Sequence, residues 1–175
     1  ADTAGRPVDI RPRVKERSIQ GDMPRFYLCS DAREVLKTLS KRIDEYRAAN
    51  YSYDQICVLT LKTEKRSILK DIDKIGNHQI RKDRDGKGVL FTTARKFKGL
   101  EADAIIIIDM DGETFVNDES KRLFYVGCSR AKHQLDIVFV GNESALKNVE
   151  KGLTDQEFPN AKIGIARCLN VKPVH

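Results

Sequence analysis

Ala104-Ile105-Ile106-Ile107-Ile108-Asp109 is the most apolar run in the chain, and its reading decides the fold. β-Branched residues suit a pleated strand. Four consecutive isoleucines without alternation mean that both faces of that strand are covered, as in the central strands of parallel sheets. The aspartate that closes the run falls at the carboxyl edge, where open α/β sheets receive ligands. Working outward, Ile56-Cys57-Val58-Leu59-Thr60-Leu61 is a second run of the same kind, and Arg25–Cys29, Val89–Thr93 and Gln134–Val140 read as further strands.

The segments between the strands carry helix signals. Ser30-Asp31 supplies an N-cap with Glu34 in the first turn, and Val35, Leu36, Leu39, Ile43 and Tyr46 recur at three- and four-residue steps as far as Asn50. Thr63 reads as the cap of another helix, with Ile68, Leu69, Ile72 and Ile75 on its inner face and Gly76-Asn77 as its stop. A short polar link with an Asp85-Gly86 turn joins Asn77 to Gly88. Asp118-Glu119 opens the helix that holds Leu123–Lys132, and Ser144–Val149 forms a short last helix. This alternation predicts an α/β domain of three layers, α/β/α, around a mostly parallel sheet. The domain is expected over residues 25–150, after an extended lead-in over 1–24. Residues 151–175 form a C-terminal extension, with Ile163–Leu169 a candidate edge strand.

The 175 residues are 40% hydrophobic, enough for one domain with a substantial core. No stretch approaches the roughly 18 apolar residues of a membrane span, and no apolar signal segment opens the chain, so a cytoplasmic protein is expected. The four cysteines (Cys29, Cys57, Cys128, Cys168) and three histidines (His78, His133, His175) are scattered, which suggests buried thiols and no metal site. The net charge is +6, and Lys62 to Lys98 alone holds twelve basic residues against five acidic ones. That surplus points to a polyanionic partner contacted through its backbone phosphates, or to an ordinary mixed-charge surface.

The chain holds no GxxxxGK[ST] phosphate cradle, since Gly86-Lys87-Gly88 is followed by Val89. Asp109 and Asp111 accordingly read as strand-end and turn residues rather than metal ligands. Arg130, in the charged knot that ends Leu123-Phe124-Tyr125-Val126-Gly127-Cys128-Ser129-Arg130-Ala131-Lys132, has two readings: a solvated cation at a helix terminus, or an arginine aimed at phosphate.

Thr92-Thr93-Ala94-Arg95-Lys96-Phe97-Lys98-Gly99-Leu100-Glu101, the hydrophobic strand after it, and then Leu123–Lys132 resemble motifs V and VI of the UvrD/Rep branch of superfamily-one helicases. The resemblance implies the second RecA-like motor domain of an ATP-dependent DNA helicase or translocase. The expected partners are single-stranded DNA and an N-terminal P-loop motor domain of the same protein, with no membrane. ATP with Mg2+ would be bound mainly by that first domain. By the same resemblance Arg130 is the arginine finger, Glu101 accepts from the nucleotide ribose, Gly99 lets the backbone approach the nucleotide, and Tyr125 is the motif's aromatic. Thr93, Arg95 and Lys96 fall where the family grips the nucleic-acid backbone. The sequence departs from the family with Arg95 where histidine is common and Ser129 where threonine is common. Motif IV is expected before Ala1, and the Asn77–Gly88 link is too short for the accessory subdomain of longer relatives, so translocation is better supported than unwinding. Alone, the chain is expected to be inactive. The competing expectation is a degenerate, non-catalytic helicase-like module that binds nucleic acid or protein.

Overall fold

The computed structural model describes residues 24–154. Seven strands form one sheet: β1 (Arg25–Cys29), β2 (Ile56–Thr60), β3 (Lys74–Ile75), β4 (His78–Arg81), β5 (Val89–Thr93), β6 (Ala102–Met110) and β7 (Ala131–Val140). Their order across the sheet is β1-β7-β6-β2-β5-β4-β3, and every neighbouring pair is parallel except the β3–β4 hairpin. The isoleucine run lies in β6 with β7 on one side and β2 on the other. Ile105 to Ile108 are wholly buried, each contributing about 1.5–3 kcal/mol relative to exposure.

Helices cover both faces. α1 (Ala32–Ala48) begins at Asp31, whose carboxylate accepts from the Glu34 amide, and sets Val35, Leu39, Ile43 and Tyr46 against Val58, Ile106 and their neighbours. α2 (Asp118–Cys128) begins at Asn117, whose side chain accepts from the Ser120 amide, and buries Phe124 and Cys128 on the opposite face with Leu59, Ile105 and Ile107. α3 (Glu143–Thr154) adds Ala145, Leu146 and Val149 to that second core. The result is a mostly parallel, three-layer α/β domain, as the alternating pattern predicts.

On the α1 face a charged group crosses the core. Asp136 of β7 is fully buried and accepts from Arg42 Nε at 3.0 Å and Tyr46 Oη at 2.6 Å. Burial pushes its carboxyl up, against the downward pull of Arg42 and Tyr46. This contact ties α1 to the β1 edge of the sheet, because β7 pairs with β1 over Asp136–Val140.

Three local expectations differ from the structure. Thr63 starts only a 3₁₀ turn, Glu64–Arg66, and no α-helix follows. Ile75 instead belongs to β3, and Gly76, at φ +62°, turns the chain directly into β4. The apolar spacing from Ile68 to Ile75 imitates a helix face, but it arises because Leu69 and Ile75 reach the α1-side core from a turn and a strand. Second, the Asn77–Gly88 link is not all loop, since His78–Arg81 pairs with β5. Third, β6 and β7 run longer than their apolar cores, to Met110 and back to Ala131. The expected lead-in over 1–23, Cys168 and the candidate strand Ile163–Leu169 lie outside the described residues.

Candidate functional site

The expected site residues fall at two opposite edges of the sheet. Thr93 ends β5, and the register Thr60↔Thr93 with Thr60↔Ile108 places it on the carboxyl edge beside β2 and β6. There a cleft of about 590 Å³ opens, lined by Thr60, Lys62, Thr93, Arg95, Lys96 and Asp111 among others. The loop that carries Arg95 and Lys96 is closed by a bond from the Lys96 amide to Thr93 Oγ1 at 3.0 Å. The side chains of both basic residues are already paired: Arg95 with Glu119 of α2, and Lys96 with Glu64 at 3.0 Å. Across the cleft, Lys62 Nζ meets Asp111 at 2.8 Å.

Asp109 lies at the floor of this cleft and inside β6, not at its end. It adopts φ +65°, within the register shift between Ile107 and Met110. Such a backbone is sparsely populated outside glycine, so something must hold it. Its buried carboxylate accepts from Thr60 Oγ1 at 2.5 Å, Ser67 Oγ at 2.6 Å and the Ile68 amide at 3.2 Å. Asp109 thereby pins the turn that presents Lys62, Glu64, Lys65 and Arg66. These cleft residues are absent from the motifs. The signal that could have found them is their position directly after the carboxyl end of the buried strand β2. Among the described residues, no group of three or more His, Cys, Asp or Glu could hold a metal ion.

The other edge is built from the amino ends of β6 and β7. The Ala102 amide donates to the Arg130 carbonyl at 3.1 Å, and Ala102 pairs with Ala131. This brings Glu101 and Arg130 together, about 30 residues apart in sequence. Gly99, in the turn before Glu101, has φ +83° and open space where a Cβ would stand, so backbone conformation rather than crowding favours glycine there. Tyr125 packs against Phe115 and Phe124, and burial pushes its phenol up to about 12. Arg130 is set apart from the cations around it. Lys132, two residues on, lies 3.8 Å from Asp103, whereas the Arg130 side chain has no hydrogen bond or ion pair among the described residues and its Nε is buried.

α2 joins the two edges. It starts beside the cleft, with Glu119 holding Arg95, and ends at Cys128, two residues before Arg130. Its last turn lies close to the sheet because residue 127 is glycine: a Cβ there would stand 2.9 Å from Ile107 Cδ1 and 3.7 Å from Ala94 Cβ.

Residues 88–140 match the family model of the UvrD-like helicase C-terminal domain. The match takes in less than a third of the 175 residues, and over that span the chain is similar to a UvrD-like helicase C-terminal domain. The matched span runs from the start of β5 to the end of β7 and takes in the amino edge and part of the carboxyl-edge cleft, but not its Thr60–Arg66 wall. A similar fold occurs in the crystal structure of the C-terminal domain of a possible DNA helicase from Lactobacillus plantarum WCFS1. The likeness has a TM-score of 0.63 and 21% identity, and covers 80% of this chain and 89% of that one. A comparison with curated proteins found no match. Among the described residues, no helix is long and apolar enough to cross a membrane.

Proposed function

We propose that this domain is the second motor domain of an ATP-dependent DNA helicase or translocase, in which Arg130 is the arginine finger and the carboxyl-edge cleft grips single-stranded DNA. The observation that carries the reading is the unpaired Arg130 guanidinium. A buried N–H left without an acceptor costs about 1–3 kcal/mol, and Arg130 Nε bears that cost with none of the described residues relieving it. An acceptor brought from outside the chain would relieve it. A planar guanidinium suits the equatorial oxygens of a phosphoryl group in transfer, where it stabilises spreading negative charge.

The remaining roles follow from position. Glu101, beside Arg130, offers a carboxylate to a ribose hydroxyl, and Gly99 leaves the backbone open to the nucleotide. Tyr125 would support the nucleotide site from the aromatic group under α2. Thr93, Arg95 and Lys96 would meet backbone phosphates, which position a strand without reading its sequence. Mg2+, held mainly by the P-loop domain, would neutralise phosphate charge during transfer. The chain by itself has no phosphate cradle and is expected to show no steady ATP turnover.

The test is DNA-stimulated ATP hydrolysis by the complete protein carrying Arg130→Ala. A fall in kcat of about 10³-fold or more is expected, with nucleotide affinity changed far less. Unchanged turnover would return Arg130 to the role of a solvated helix-end cation and favour a non-catalytic binding module.

A further inference from the structure

The three ion pairs around the cleft share a geometry that the proposed strand grip does not explain. Each joins two different segments of the cleft wall. Glu119 of α2 reaches Arg95 after β5, Glu64 of the 3₁₀ turn reaches Lys96 after β5, and Asp111 after β6 reaches Lys62 after β2. Five basic residues (Lys62, Lys65, Arg66, Arg95, Lys96) and five acidic ones (Glu64, Asp109, Asp111, Glu113, Glu119) line the cleft, so its formal charges balance. The segment that looks so basic in sequence thus presents a neutral surface where a strand would bind.

We propose that Asp111, Glu64 and Glu119 are built-in phosphate substitutes, which hold Lys62, Lys96 and Arg95 within the cleft and must be displaced one by one as a nucleic-acid backbone enters. The proposal deepens the strand-gripping reading above and rests on it. A carboxylate and a phosphate oxygen accept from the same donors, so each pair competes directly with one phosphate contact. Exposed ion pairs are weak, commonly 0.2–1 kcal/mol, which makes the exchange readily reversible. Such weak competition keeps the grip adjustable, as a domain that must release and regrip a strand requires. Lys62–Asp111 is the least exposed pair, with side chains 34% and 26% accessible against 63% and 67% for Arg95–Glu119, so Asp111 should compete most strongly.

The experiment measures binding of this chain to a fluorescein-labelled oligothymidylate at low salt. Asp111→Asn, Glu64→Gln and Glu119→Gln should each tighten binding by about two- to fivefold, Asp111→Asn the most, with thermal melts unchanged within a few degrees. The gain from Glu119→Gln should vanish in an Arg95→Ala background, and that from Glu64→Gln in a Lys96→Ala background. Asp83→Asn, an exposed acid outside the cleft lining, controls for net charge and should change binding little. Unchanged or weaker binding by all three variants overturns the proposal, as do gains that persist without the partner cation. Arg95→Ala and Lys96→Ala separate the two readings: if neither weakens the wild-type chain, or that chain does not bind, the strand grip itself fails. If both weaken binding while the acid variants do nothing, only the substitution of carboxylate for phosphate fails.

Discussion

The amino edge holds an arginine with no side-chain partner among the described residues, while the carboxyl edge holds Arg95, Lys96 and Lys62, each matched to a carboxylate of the same chain. In sequence these cations look alike. The difference teaches that, if the proposed function holds, a site for transient charge and a site for a lasting polyanion are built in opposite ways. Under the proposed function, Arg130 is left uncompensated by the described residues so that its interaction would form only when an outside phosphate arrives. The cleft cations are compensated, so that under the proposed strand grip their interaction would be an exchange whose net strength stays small.

The largest expected effect divides the two edges most sharply. Arg130→Ala in the complete protein should leave the salt dependence of single-strand binding untouched while kcat falls by about 10³-fold. A fall in both would show that the edges are not separate. Next, Gly127→Ala should destabilise the domain by about 1–3 kcal/mol in urea unfolding, because the new methyl would overpack against Ile107. An unchanged midpoint would mean that α2 sits more loosely than the glycine contact implies.

At the cleft the expected changes are smaller. Arg95→Ala should weaken single-strand binding roughly fivefold at 0.1 M salt and make the slope of log affinity against log salt shallower by about 0.7, one single-strand phosphate contact. An unchanged slope would remove Arg95 from the interface. The smallest effect concerns Tyr125, whose phenol is raised by burial from 10.0 to about 12. Because the folded value is the higher one, the stability linked to this group is fully present below pH 10 and is lost as pH rises through about 12. In an alkaline absorbance titration of the folded protein, Tyr125→Phe should remove a late-titrating phenol. Loss of an early-titrating one instead would contradict its burial.

Much of the fold was legible because its strands are continuous apolar runs. Ile105–Ile108 could hardly be anything but a covered strand, and the cap at Asp31 marks α1 by a hydrogen bond that its residue type foreshadows, whereas the Asn117 cap of α2 emerged only from the structure. The stretch from Thr63 to Arg81 was misleading for a physical reason. Its apolar residues are spaced like a helix face, but Gly76 permits a tight reversal, and pairing with β5 gains more than an isolated helix would. Of the site, the motifs pointed to Arg130, Glu101 and Arg95, and the fold brings Glu101 beside Arg130. The pairing of Lys62, Arg95 and Lys96 was not legible, because their carboxylates lie 24 to 49 positions away and meet them only through the sheet. Nor did the sequence signal that Asp109 lies within β6 at positive φ, holding the turn after β2.

α2 spans 11 residues, a rod of about 16 Å at 1.5 Å per residue. Its first turn belongs to one edge of the sheet and its last to the other, and Gly127 leaves no slack between the rod and the strands beneath. A body of that kind has few ways to move. If one end is drawn toward a phosphate, the opposite end is carried with it, so a change imposed at Arg130 has Glu119 and its hold on Arg95 within the same lever arm.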